Sequence, residues 1–136
     1  MSLDKNLLEK ADKTIQVVSE TLKGLDFAVT GSYAYSVVGG RPRQGFNFRS
    51  DLDIALSEDE ISEAISRLKD LPEVLRAFPF YGYDGNPPPR HSGYKIFIEG
   101  LLPIHLTQTL KPEQKSDYVL KDGVNFLPPH YYWNKN

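Results

Sequence analysis

The sequence predicts one α/β domain, with a mixed sheet of about five strands and helices on one of its faces. Three observations predict it: an apolar stripe at helical spacing near the start, a strictly alternating segment at Asp51–Leu56, and a second helical stripe directly after it. The length of 136 residues fits one domain spanning 1–136. A composition that is 40% hydrophobic and 25% charged gives it enough apolar material for a core.

Leu8, Ala11, Ile15, Val18 and Leu22 recur at three- and four-residue steps, which predicts a helix over 3–24 ending at Gly24. Phe27-Ala28-Val29-Thr30 reads as a short buried strand, followed at once by Gly31-Ser32. Tyr33 to Val38 suits a short helix. Residues 39–50 are rich in turn formers and carry Arg41, Arg43 and Arg49 without an acid, so they read as a loop.

In Asp51-Leu52-Asp53-Ile54-Ala55-Leu56 the leucines and isoleucine point one way and the aspartates the other. Ser57 and Glu60 form the pattern of a capping box, predicting a helix over 57–71 that Pro72 stops. Ile61, Ala64, Ile65, Leu68 and Leu71 give that helix its apolar face. The stretch Ala77–Gly93 is harder to place, mixing aromatic residues with a proline-rich loop. Residues 94–99 and 103–108 read as two antiparallel strands joined around Gly100. The tail joins a charged segment, Lys111–Lys121, to the aromatic run His130-Tyr131-Tyr132-Trp133.

The residue inventory excludes several chemistries. With no cysteine, disulfides, thiolate zinc sites and cysteine nucleophiles are ruled out. A net charge of −2 does not indicate nucleic acid as a partner. No apolar run is long enough for a membrane helix, and the N-terminus lacks a signal-peptide core, so the expected location is cytoplasmic.

Asp51 and Asp53, two apart on a strand, leave the same face with Cα atoms roughly 6.5–7 Å apart. Two carboxylates that close repel, and a hard divalent ion such as Mg²⁺ between them relieves the repulsion. The plainer alternative is a pair of solvated acids. Gly31-Ser32, between a buried strand and a helix, offers backbone N–H groups and a hydroxyl to a small anion. The absent side chain at Gly31 lets a phosphate approach the backbone.

The order strand, Gly-Ser, short helix, loop, Asp-x-Asp strand, helix resembles the nucleotidyltransferase superfamily related to DNA polymerase β. The signature stands here as Thr30-Gly31-Ser32 followed by Asp51-Leu52-Asp53-Ile54, with Thr30 departing from an apolar position. Ala34, Gly39 and Arg43 in the spacer are similar to the minimal and antibiotic nucleotidyltransferases. The match covers residues 27–56 well and 94–108 loosely.

The resemblance implies a nucleotidyltransferase-like fold. It implies that Asp51 and Asp53 hold Mg²⁺ (or Mn²⁺) bridging to a nucleoside triphosphate, with Gly31 and Ser32 cradling its phosphates. An unknown hydroxyl acceptor, on a small molecule or a protein, would attack the α-phosphate and release pyrophosphate. Arg41, Arg43 and Arg49 are candidates for phosphate contact, because guanidinium pairs bidentately with phosphate; a solvated loop is the alternative.

Two features depart from the family pattern. Residues 33–50 make a longer spacer than is common in minimal members. The third carboxylate position, in an apolar-acid-apolar triplet, matches Ile104-His105-Leu106, with histidine in place of the acid. His105 as metal ligand, His105 as general base, and His105 as the mark of a site that only binds nucleotide are three open readings, and a purely structural strand histidine is the plainer alternative to either active role. Glu99 is a candidate stand-in carboxylate, and Lys95 a candidate phosphate contact on the neighbouring strand. The last of the His105 readings suits an antitoxin-type regulatory module that pairs with a helical partner protein; a homodimer is a separate alternative, and the sequence does not set the oligomeric state.

Overall fold

The computed structural model describes residues 5–38, 51–57, 59–81, 92–107 and 118–127. They form α1 (Lys5–Thr21), β1 (Phe27–Thr30), α2 (Gly31–Val38), β2 (Leu52–Leu56), α3 (Ile61–Lys69), β3 (Val74–Tyr81), β4 (Ser92–Ile98), β5 (Ile104–Thr107), β6 (Val119–Lys121) and β7 (Val124–Phe126). The strands make one mixed sheet in the order β3-β4-β5-β2-β1-β7-β6, seven rather than the expected five. β2–β5 and β1–β7 pair in parallel, and the other neighbours are antiparallel.

The extra strands come from segments with weak patterning. β3 occupies part of the aromatic stretch that resisted placement, carries Pro79, and shifts register between Val74 and Arg76. As a sheet-edge strand it tolerates a residue without an N–H donor. β6 and β7 are three residues each, joined by Asp122-Gly123, both with positive φ.

α1 and α3 touch each other, and α3 packs on β3, β4 and β5. Their buried residues join Leu52, Ile54, Leu56, Ile96, Ile104 and Leu106 in a single core cluster, so both expected helices cover one face of the sheet. The buried stripe of α1 runs through Leu7, Ala11, Thr14, Val18 and Leu22, with Leu8 and Ile15 only partly covered. Thr14 enters the core because its hydroxyl is satisfied: it donates to the Lys10 carbonyl at 2.6 Å and accepts from the Leu102 N–H at 2.9 Å. That bond ties α1 to the turn between β4 and β5.

Helix ends differ from expectation by a few residues. α1 stops at Thr21, where Arg67 Nη1 donates to the Thr21 and Lys23 carbonyls. α3 starts at Ile61 rather than Ser57, and its N-cap residue, Glu60, makes no side-chain cap bond. Glu60 is drawn elsewhere. Its Oε1 accepts from the Ser57 hydroxyl and from the Asp26 N–H, fastening the start of α3 to the chain entering β1. Among the described residues no helix is long and apolar enough to cross a membrane.

Candidate functional site

The face of the sheet opposite α1 and α3 is assembled by register. Thr30 of β1 lies beside Asp53 of β2, Asp53 beside His105 of β5, His105 beside Lys95 of β4, and Lys95 beside Phe78 of β3. Directly paired residues share a face, so these five form a row across five strands. The alternation that buries Leu52, Ile54 and Leu56 in the core therefore delivers Asp53 to the row.

Two polar pairs define the centre. His105 Nδ1 lies 3.2 Å from Asp53 Oδ1, and Lys95 Nζ lies 2.9 Å from Asp51 Oδ2. All four side chains are 15–19% exposed, too sheltered for the reading of Asp51 and Asp53 as freely solvated acids. Burial pushes the Asp53 carboxyl above the ordinary carboxylate range. The hydrogen bond and charge of His105 oppose that rise, as does Lys95, while Asp51 adds to it.

Glycines flank the carboxylate–imidazole pair. Gly31 opens α2 at φ +79°, and a Cβ there would overlap Asp53 Oδ2 and come within 2.9 Å of its Cγ. A Cβ on Gly93 would fall 2.6 Å from His105 Nε2 and 2.8 Å from the Leu106 carbonyl oxygen. Both side chains lie against glycine backbone because no side chain stands in the way. Gly31 thus makes room for the Asp53 carboxylate. Gly93 escaped the sequence reading, although a glycine inside a strand signals close approach of another group.

Of the expected site residues, the structure brings together Gly31, Asp51, Asp53 and His105. Ser32 is the second residue of α2, with only its backbone described. Arg41, Arg43 and Arg49 lie outside the described residues, as do His91, His130, Tyr131, Tyr132 and Trp133. Glu99 is exposed past the end of β4, where its N–H donates to the Glu73 carbonyl. Lys95 reaches the carboxylates as the sequence allowed, but its partner is Asp51.

For a metal, the donor set is specific. Among the described residues no group of three or more histidine, aspartate or glutamate side chains is gathered around a common point. Two carboxylates on one face do suit Mg²⁺ or Mn²⁺, which keep several positions for water and phosphate. The residues therefore fit an ion that arrives with a phosphate ligand, rather than one caged by protein alone. A separate cavity of about 700 Å³ lies between α1, α2 and the β6–β7 hairpin, lined by Asp12, Tyr33, Val37, Asp122 and Phe126 among others.

Comparison with solved structures gives a shared fold. JHP933 from Helicobacter pylori superposes with a TM-score of 0.51 at 14% identity, covering 98% of this chain. This chain spans 56% of the length of that protein. Terminal uridylyl transferase 4 from Trypanosoma brucei, solved with bound GTP, gives a TM-score of 0.45 at 14% identity, over 79% of this chain and 31% of that one. That second likeness is too slight to carry an argument. No protein-family model and no curated protein matches the sequence. At the level of fold, the described residues form an α+β domain on a seven-stranded mixed sheet, similar to JHP933.

Proposed function

We propose that this chain is a nucleotidyltransferase-type domain that moves a nucleoside monophosphate from a nucleoside triphosphate to a hydroxyl acceptor. The observation that carries the reading is the register of β2 and β5. It sets His105, in the position of the missing third acid, directly beside Asp53, with Asp51 on the same face and Gly31 against the Asp53 carboxylate.

In this reading Asp51 and Asp53 hold Mg²⁺ or Mn²⁺. When bound, the ion supplies charge neutralisation for the triphosphate and for the departing pyrophosphate. Asp53 also orients His105. When Asp53 is ionised its carboxylate only accepts, so Nδ1 then carries the proton of their contact, and Nε2 lies toward Gly93. α2 starts at Gly31, beside the same carboxylate, and the N–H groups of a helix start suit phosphate oxygens. The acceptor hydroxyl attacks the α-phosphorus, its proton leaves to a nearby base, the bond from the α-phosphorus to the oxygen bridging the β-phosphate breaks, and pyrophosphate departs.

A second reading has its own support: histidine replaces the third acid, and the described residues provide no three-ligand group. The domain then binds nucleotide, or a partner protein, without turnover. Pyrophosphate release, measured with Mg²⁺ or Mn²⁺, labelled nucleoside triphosphates and a panel of hydroxyl acceptors, separates the two. Release that Asp53→Asn abolishes supports the transferase; nucleotide binding without release supports the module. Absence of both binding and release refutes the nucleotide readings together.

A further inference from the structure

Lys95 is drawn into the centre of the site rather than standing at its rim. It lies on β4, with His105 of β5 between it and β2, and its side chain crosses that strand to meet Asp51 at 2.9 Å. The ammonium and the carboxylate are only 15% and 18% exposed, so solvent screens their attraction far less than at a surface pair. The two aspartates bring two negative charges and Lys95 returns one positive charge. Asp51 is thus already neutralised by the protein.

A divalent ion held by both carboxylates would lie within a few ångströms of that ammonium, and two cations so close repel strongly in a sheltered site. Lys95 must therefore release Asp51 when the ion enters. Its stem remains anchored on β4, so the released ammonium stays on the same face. The negative group nearest to it would be the phosphate that accompanies the ion.

Resting on the nucleotide reading above, we infer that Lys95 is an exchangeable counter-ion: it holds Asp51 until metal and polyphosphate arrive together, then transfers to the polyphosphate. The site so built discriminates against a bare divalent ion and in favour of a metal–polyphosphate complex. Lysine suits the task, being a compact charge on a flexible stem.

The test measures binding to the full chain without turnover. Free Mn²⁺ is followed by electron paramagnetic resonance, alone and with inorganic triphosphate, for wild type, Lys95→Met and Lys95→Arg. Lys95→Met keeps the length of the stem and removes the charge. It is expected to bind Mn²⁺ alone roughly ten-fold more tightly than wild type, and Mn²⁺ with triphosphate roughly ten-fold more weakly. Lys95→Arg, which keeps the charge, is expected to stay near wild type for Mn²⁺ alone.

Opposite movement of the two affinities in Lys95→Met supports the inference. Equal weakening of both, or no change in Mn²⁺ binding alone, overturns it while leaving the nucleotide reading intact. Asp51→Asn distinguishes the other failure. If Mn²⁺ with triphosphate binds Asp51→Asn and wild type equally, or binds neither, the reading of the carboxylates falls and the inference with it. Thermal melting followed by circular dichroism verifies that each variant is folded.

Discussion

Replacing Gly31 by alanine perturbs the backbone and the site together. The residue sits at φ +79°, where a side chain costs about 1–2 kcal/mol. The new Cβ would also occupy the space of the Asp53 carboxylate. Asp53 must then leave its rotamer, at about 0.5–1.5 kcal/mol, and loosen a charged hydrogen bond to His105 worth about 1.5–3 kcal/mol. With partial relaxation, Gly31→Ala should destabilise the fold by about 3–5 kcal/mol. Gly24 and Gly100 provide internal controls. Their φ values are +92° and +83°, but a Cβ at either meets nothing within 4 Å, so alanine there should cost only about 1–2 kcal/mol. Urea denaturation of the three variants measures the difference. Combining Gly31→Ala with Asp53→Ala should recover about 2 kcal/mol relative to additivity, because the overlap is gone. If Gly31→Ala is no more damaging than Gly24→Ala, the argument that Gly31 exists to admit Asp53 is wrong.

Three further perturbations test neighbouring parts of the same reasoning. Gly93→Ala should displace the His105 ring and cost about 1–3 kcal/mol; an unchanged imidazole NMR signal would show that the glycine does not position it. Because burial raises the folded-state pKa of Asp53, the unfolded chain releases its proton first as pH rises. The ionised group therefore costs stability above its folded pKa and nothing below its unfolded one. Asp53→Asn should accordingly gain on wild type as pH increases from about 3 to about 8, and a stability difference independent of pH would refute the assignment. Finally, His105→Asp places a third carboxylate beside Asp53, so it should lose about 1 kcal/mol or more without metal through like-charge repulsion and regain it with Mn²⁺. Melting temperatures with and without the ion decide it.

What the sequence reveals here depends on how local each signal is. The alternation of Asp51–Leu56 and the Gly100 turn are local, and both were readable. The two expected helices were legible from their stripes, although α1 hides Thr14 in its core because threonine is polar in a pattern and satisfied in the fold. The capping-box reading at Ser57 misplaced the start of α3 because Glu60 has a tertiary partner, the Asp26 N–H, that no local rule anticipates. β6 and β7 escape the sequence reading, although Asp122-Gly123, between Lys121 and Val124, is a hairpin signal; the exposed Leu120 gives no alternation to support it. The pairing of Lys95 with Asp51 is a matter of sheet register, with β5 between their strands, and register between distant strands is not written in either segment alone.

The two parallel pairings have a consequence for how the molecule comes into being. Asp53 and His105 stand 52 residues apart, and Val29 of β1 meets Phe126 of β7, near the end of the described chain. Such distant partners lose much chain freedom before they gain contact, which slows folding. During synthesis β1, β2 and their helices emerge with two strand edges still awaiting later segments. The aspartates are then present without the strands that arrange them. The candidate site is thus one of the late products of folding: a chain interrupted before β4 carries the Asp-x-Asp motif but neither the lysine strand nor the histidine strand.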